Sequence, residues 1–208
     1  MGSEMCIRDR KDTVDIIDSS HFEVIAEGPV RSVFRLDFTR WDVLGTKVDV
    51  HETVTIWAGK NGYEEEIRTS PLPENAVLVT GLVANNNTKE FVEKQYAGKW
   101  VSMITHDKQT VNKDYELGMA LLIPKDQLVE TFHAPDEGNG ILKTWCAKLK
   151  PGNNGYRYQV YAGWELGVDD FSKREEFIRL VDTYADYLNH PVSIHINLSL
   201  IHISEPTR

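Results

Sequence analysis

Three runs in the first third of the chain alternate in side-chain type, as strands do when one face is buried and the other meets water. In residues 30–38, Val30, Ser32, Phe34, Leu36 and Phe38 fall on one side, and Arg31, Val33, Arg35 and Asp37 on the other. In residues 47–57, Val48, Val50, Val54 and Ile56 share a face with Glu52, opposite Lys47, Asp49, His51, Thr53 and Thr55. Residues 63–69 put Glu64, Glu66 and Arg68 together. Turn-like stretches at 41–46 and 59–62, the second with Lys60-Asn61-Gly62, join the runs into an antiparallel meander. An alternating stretch at 21–27 precedes it, punctuated by Gly28-Pro29.

Downstream, two prolines at 71 and 73 mark a connector, and residues 76–84 are apolar on both faces, which suits a central strand. Residues 91–96 and 99–106 form a hairpin candidate, followed by a loop over 108–114. Residues 115–123 alternate strongly up to Pro124, and two further strands, 127–132 and 141–149, flank a loop at 133–140. Residues 156–165 carry Tyr156, Tyr158, Val160, Ala162 and Trp164 on one face. A single helix is expected next: Ser172 with Glu175 is a capping-box pattern, Phe177, Leu180, Val181, Tyr184 and Leu188 form a stripe at helical spacing, and Pro191 stops it. Residues 192–196 read as a last strand. Many short strands and one late helix predict a mainly β fold, an antiparallel β-sandwich with one C-terminal helix.

The ends of the chain stand apart. Back-translated, residues 198–206 give a DNA stretch whose reverse complement, read in frame from a GTG start, spells residues 1–9. Such an inverted repeat resembles a transposon-type sequencing adapter translated in both orientations; a genuine repeat flanking a gene is the alternative. We therefore expect residues 1–10 and 198–208 to be adapter-derived and residues 11–197 to be one domain, a fragment of a longer protein whose true N-terminus is missing. Absence of a signal peptide then says nothing about export.

Charge and cysteine content narrow the partners. With 32 acidic against 23 basic residues the net charge is −9, the wrong sign for a nucleic-acid or anionic-membrane surface. No apolar run is long enough to cross a bilayer, so no membrane insertion is expected. Cys146 is the one cysteine outside the ends, which leaves no internal disulfide and no cysteine-rich metal site. The histidines His21, His51, His106, His133, His190 and His195 lack zinc-ligand spacing, and no phosphate-binding or dinucleotide glycine motif occurs, so neither metal nor cofactor is expected.

Four places carry candidate chemistry. Arg31, Arg35, His51, Glu64 and Glu66 would converge on one sheet face if their strands are neighbours; a guanidinium fork there suits a carboxylate-bearing sugar, while the alternative is a solvated face of cross-strand ion pairs. Glu52, in phase with valines, is either a half-buried functional acid that needs a partner or the mark of a bulge that returns it to the polar side. His133 opens a loop with Asp136 and Glu137 and could act as a general acid or base, or the loop is an ordinary hairpin connection. Tyr156, Tyr158 and Trp164, with Trp145 on the preceding strand, form either a sugar-stacking platform or core, Trp164 being the foremost platform candidate.

Gly28-Pro29-Val30-Arg31-Ser32-Val33-Phe34-Arg35-Leu36 with its following hairpin, Ala162-Gly163-Trp164-Glu165, and the helix over 177–188 before Pro191-Val192 resemble the C-terminal half of a bacterial family catalogued as domain of unknown function 4861. The resemblance covers most of residues 11–197. It implies a large β-sandwich like the galactose-mutarotase supersandwich, an N-terminal half of the same chain that is missing here, and proteins often exported to the periplasm or beyond and associated with breakdown of acidic plant polysaccharides. It carries no catalytic motif over. The expected function is processing or binding of uronic-acid-containing, pectin-like saccharides. Arg31 and Arg35 would hold the carboxylate with His51 and Glu64 nearby, Tyr158 and Trp164 would meet the sugar ring, and His133 or Glu66 would move any proton. The alternative is a non-catalytic accessory module of a polysaccharide-degradation protein.

Overall fold

The structure is a computed structural model, and it describes residues 17–74, 76–84, 86, 89–109, 114–138 and 140–193, the side chain of Asp169 excepted. The ends assigned to the adapter and residues 194–196 of the last expected strand lie outside the described residues; Val192 and Ser193 form no strand.

The meander forms as its alternation dictates. β1 (Ser19–Ala26), β2 (Arg31–Val43), β3 (Thr46–Trp57) and β4 (Gly62–Thr69) pair antiparallel in chain order. The same sheet continues through β11 (Tyr156–Trp164), β8 (Leu117–Pro124), β7 (Trp100–Asp107) and β6 (Val92–Tyr96), giving eight strands. A second, three-stranded antiparallel sheet has the order β5 (Leu78–Val83), β10 (Thr144–Leu149), β9 (Leu128–His133). The helix α1 (Arg174–Asn189) follows the last strand. The fold is mainly β, with two antiparallel sheets face to face and one helix near the C-terminal end.

Apolar side chains on both faces of β7 and β8 dictate three layers. On the inner face Met103, Leu121, Ile123, Tyr156 and Tyr158 pack against Leu78, Leu82, Ala147 and Leu149 of the small sheet. On the outer face Ile104, Ala120, Leu122 and Tyr161 meet Phe177, Val181, Tyr184 and Ala185 of α1. The helix docks where the sheet is bare: Gly118 and Gly163 are cross-strand partners, and a Cβ on either would stand only 2.5 or 2.9 Å from the Phe177 ring. The expected capping box does not form. Residues Asp169–Ser172 instead make a 3-10 turn, and the N-cap is Lys173, with no side-chain cap bond. That turn brings Phe171 edge-on against Phe177, with ring centroids 5.9 Å apart.

Two other expectations are corrected. Trp41 to Val43 are strand rather than turn, because a register shift between Phe38 and Trp41, with Arg40 at φ 53°, re-aims Trp41 and Val43 into the core. The turn is confined to Leu44 and Gly45, both at positive φ. The run at 76–84 is not a central strand. β5 is an edge of the small sheet, and its second face is covered not by another layer of secondary structure but by Ala134 and Cys146 packing on Val79.

Only part of the large sheet is covered on its inner side. Phe22, Val24 and Ile56, on the inner face of β1 and β3, stay 57%, 54% and 43% exposed. At the margin of the covered area lies Glu52. Its strand pairs with β4 without a register shift, so the carboxyl keeps phase with the valines, and the bulge alternative falls away. Its neighbour is no arginine. Glu52 lies opposite Ile67 and Val54 opposite Glu65, which makes the two glutamates diagonal neighbours on one face. They are only 9% and 2% exposed. Burial raises both carboxyls above their ordinary range, and the charge of Glu52 adds to the effect on Glu65, which is pushed from 4.5 to about 8. Burial, reinforced by the same two glutamates, pushes the Tyr63 phenol up to about 12.

A carboxyl whose pKa is raised by folding holds a proton that the unfolded chain releases. Its contribution is therefore complete below about pH 4.5 and is lost as pH rises towards 8. For a shift of this size the loss is of the order of 4 kcal/mol. Urea unfolding is expected to give a lower midpoint at pH 8.5 than at pH 5, and Glu65→Gln should flatten most of that dependence. Equal midpoints for the parent protein at the two pH values would contradict this account.

Candidate functional site at one end of the sandwich

Six strand ends meet at one end of the molecule. In the large sheet Asp107 pairs with Leu117 and Leu117 with Trp164; in the small sheet His133 pairs with Trp145 and Trp145 with Leu82. Between the sheets at this end opens a cleft of about 480 Å³, lined by Lys89, His133, Asp136, Glu137, Lys143 and Trp145.

Each wall residue is fixed by the local fold. Trp145 lies on the inner face of β10, where Phe91 stacks on it with ring centroids 4.1 Å apart and His133 stands edge-on at 4.7 Å. Lys143 precedes β10 in a left-handed conformation, φ 46°. Two backbone bonds hold it there: its N–H donates to Pro135 O at 3.0 Å, and its carbonyl accepts from Ala84 N–H at 2.7 Å. Among the described residues its ammonium makes no ion pair.

Lys89 is anchored from below. Its backbone N–H donates to Asp107 Oδ2 at 2.9 Å and its Nζ to Glu116 Oε1 at 2.8 Å. Glu116 is in turn surrounded. Its backbone N–H donates to Glu165 Oε2 at 2.8 Å, and its Oε2 lies 3.4 Å from Nδ1 of the buried His106. His106 Nε2–H donates to Phe171 O at 2.7 Å, tying the helix layer to this end of the sandwich. The arrangement offers ammonium groups, carboxylates, an imidazole and an apolar indole wall in one open cleft. It can grip an anionic group while accepting hydroxyl donors.

The residues singled out in the sequence divide into three groups. Arg31, Arg35, His51, Glu64 and Glu66 do share the outer face of neighbouring strands, but the face is largely satisfied within itself. Arg35 pairs with Glu23 at 2.7 Å and Asp37 at 3.0 Å, His51 with Asp37 at 2.6 Å, and Glu64 accepts from Arg157 at 2.8 Å and Gln159 at 2.9 Å. The His51 hydrogen bond, backed by the Arg35 guanidinium, outweighs burial and holds the Asp37 carboxyl below its ordinary value. Arg31 lies over the Trp57 ring, 5.4 Å from its centroid.

Tyr158 is 1% exposed in the core between the sheets and has no surface to offer a sugar. Trp164 is in phase with Tyr158, so it stands on the inner face, opposite Arg31 and Arg35. Those three residues cannot line one site. His133 lies on the small sheet and Glu66 on the outer face of the large one, so they are not brought together either. His133 does reach the cleft.

Lys89, Lys143 and the Glu116–His106 support were missed. Lys89 precedes the hairpin candidate at 91–106 and Lys143 falls within the expected strand 141–149, with no shared spacing, and only the stacking of the two sheets brings them to one opening. Glu65 was legible in part: with Glu64 and Glu66 on the charged face, it had to fall on the apolar one. Among the described residues no group of three or more His, Cys, Asp or Glu side chains could hold a metal ion, and no helix is long and apolar enough to cross a membrane.

Fold and cleft together define a mainly β protein of two antiparallel sheets with one helix against the larger and a polar opening between the sheets at one end. The chain belongs to the family described as Domain of unknown function (DUF4861), which matches residues 2–194. No curated protein and no solved structure matches it.

The backbone of Lys143 offers a direct test of the cleft's construction. Glycine takes a positive φ without the clash that a Cβ causes. Lys143→Gly is therefore expected to leave the fold intact and raise stability by about 0.5–1 kcal/mol, read as a higher thermal midpoint. A lowered midpoint would show that the Lys143 side chain itself contributes to stability.

Proposed function

We propose that the chain binds uronic-acid-containing saccharides in the cleft between its sheets. The observation that supports the reading is that Lys89 and Lys143 line this opening together with His133 and Trp145 in a protein of net charge −9. An acidic protein repels acidic ligands over most of its surface, so a site for them needs cations gathered locally. Asp136 and Glu137 on the same wall suit the hydroxyl groups of a sugar, since an ionised carboxylate only accepts hydrogen bonds. The resemblance to proteins of acidic-polysaccharide breakdown points the same way and goes with a protein working in the periplasm or outside the cell.

His133 is the imidazole on this wall, and we assign any proton transfer to it. If the protein turns a substrate over, this residue takes part. If it does not, the domain is an accessory module that holds the polysaccharide. The outer-face arginines lie on the opposite side of the large sheet from the cleft and have no part in this reading.

Calorimetric titration with galacturonate and glucuronate oligosaccharides, and with neutral galactose oligosaccharides as controls, tests the proposal. The acidic ligands are expected to bind and the neutral ones not, with binding weakening as salt rises. Lys143→Gly should weaken binding about tenfold, the loss of roughly one charge-assisted bond, even though it stabilises the fold. Product formation abolished by His133→Ala would place the domain among enzymes. Absence of binding by every acidic saccharide would overturn the proposal.

A further inference from the structure

The cleft lacks an open aromatic platform, because Phe91 lies on the ring of Trp145 and His133 stands against it. On the inner face of the large sheet Trp164 offers free ring surface. It is 45% exposed, and Tyr115 holds it edge-on, with ring centroids 6.1 Å apart at 88°. Trp164 pairs with Leu117 and Leu117 with Asp107, whose carboxylate binds the backbone of Lys89. Two interstrand steps, about 10 Å, thus separate the tryptophan from the end of β7, where Asp107 holds the backbone of Lys89. Between them on this face lies the half-buried Leu117, and the strand ends are tied together beside it. Glu165 N–H donates to Glu116 O at 3.2 Å, and the Glu116 carboxylate grips Lys89.

We propose that the site extends along this end of the large sheet onto Trp164 and Tyr115, so that its ligand is an oligosaccharide and not a single sugar. One acidic residue sits between Lys89 and Lys143, and a neighbouring residue lays its C–H face on the Trp164 ring. The inference rests on the reading of the cleft as a uronate site. It assigns to Trp164 the ring-stacking role that Trp145 cannot fill, and it separates that role from the outer-face arginines. A ligand of one residue reaches only the lysines; a ligand of two or three reaches both.

The test compares galacturonic acid with its di- and trisaccharide on the intact chain by calorimetry. The trisaccharide is expected to bind about tenfold more tightly than the monosaccharide, in line with one added aromatic contact. Trp164→Ala should remove that gain and leave the monosaccharide affinity unchanged, which also reports that the variant is folded; Trp164→Phe should keep part of the gain. A trisaccharide no tighter than the monosaccharide, or a gain that survives Trp164→Ala, overturns the extended site while the lysine cleft stands. Failure of all acidic ligands to bind overturns both readings.

Discussion

Two strands with no solvent-facing side govern this molecule. β7 and β8 are buried along almost their whole length, and a strand that is apolar on both sides needs cover on both. The small sheet supplies it on the inner side and α1 on the outer, so the order of layers follows from the middle of the large sheet outwards. The helix can approach closely only because Gly118 and Gly163 leave a flat place for Phe177. Without those two glycines the ring would ride higher and the outer core would open.

Cover for β7 and β8 is not cover for the whole sheet. The meander β1–β4 extends beyond the small sheet, and its inner face changes from core at Val48 and Val50 to exposed apolar side chains at Phe22, Val24 and Ile56. Glu52 and Glu65 occupy the boundary. Burial raises both carboxyls, and the charge of Glu52 raises Glu65 further, to about 8, so Glu65 keeps its proton at neutral pH. The outer face of the same strands is handled differently: its charges are matched across strands by Glu23, Asp37 and Arg157. One sheet thus shows two solutions to polar residues in strands, pairing where water reaches and protonation where it does not.

The cleft is a product of the same partial stacking. Where the small sheet ends over β6 and β7, backbone and loops turn away and leave an opening, and the cations that reach it come from different connections. Lys89 is held by Glu116, whose other carboxylate oxygen lies 3.4 Å from the buried His106, itself bonded to the carbonyl of Phe171. Lys143 is steadied by backbone alone, at the expense of an unfavourable φ. Strain of this kind persists only where surrounding structure enforces it.

Much of the fold could be read from alternation. Strand phase at Glu52, the charged face of Arg31, Arg35, His51, Glu64 and Glu66, the late helix and its apolar stripe all depend on local periodicity, and local periodicity is a property of the chain itself. What local pattern could not supply was anything set by neighbours distant in sequence. It placed Trp41 in a turn because a bulge decides the true phase, made 76–84 central because burial on two faces does not distinguish a sheet interior from an edge under a loop, and grouped Trp164 with the arginines because which side of a sheet a strand presents depends on its partners. Lys89 and Lys143 carry no mark in the sequence. They become a pair only when two sheets stack, since packing between layers, unlike alternation within a strand, is fixed by contacts that no short stretch of chain contains.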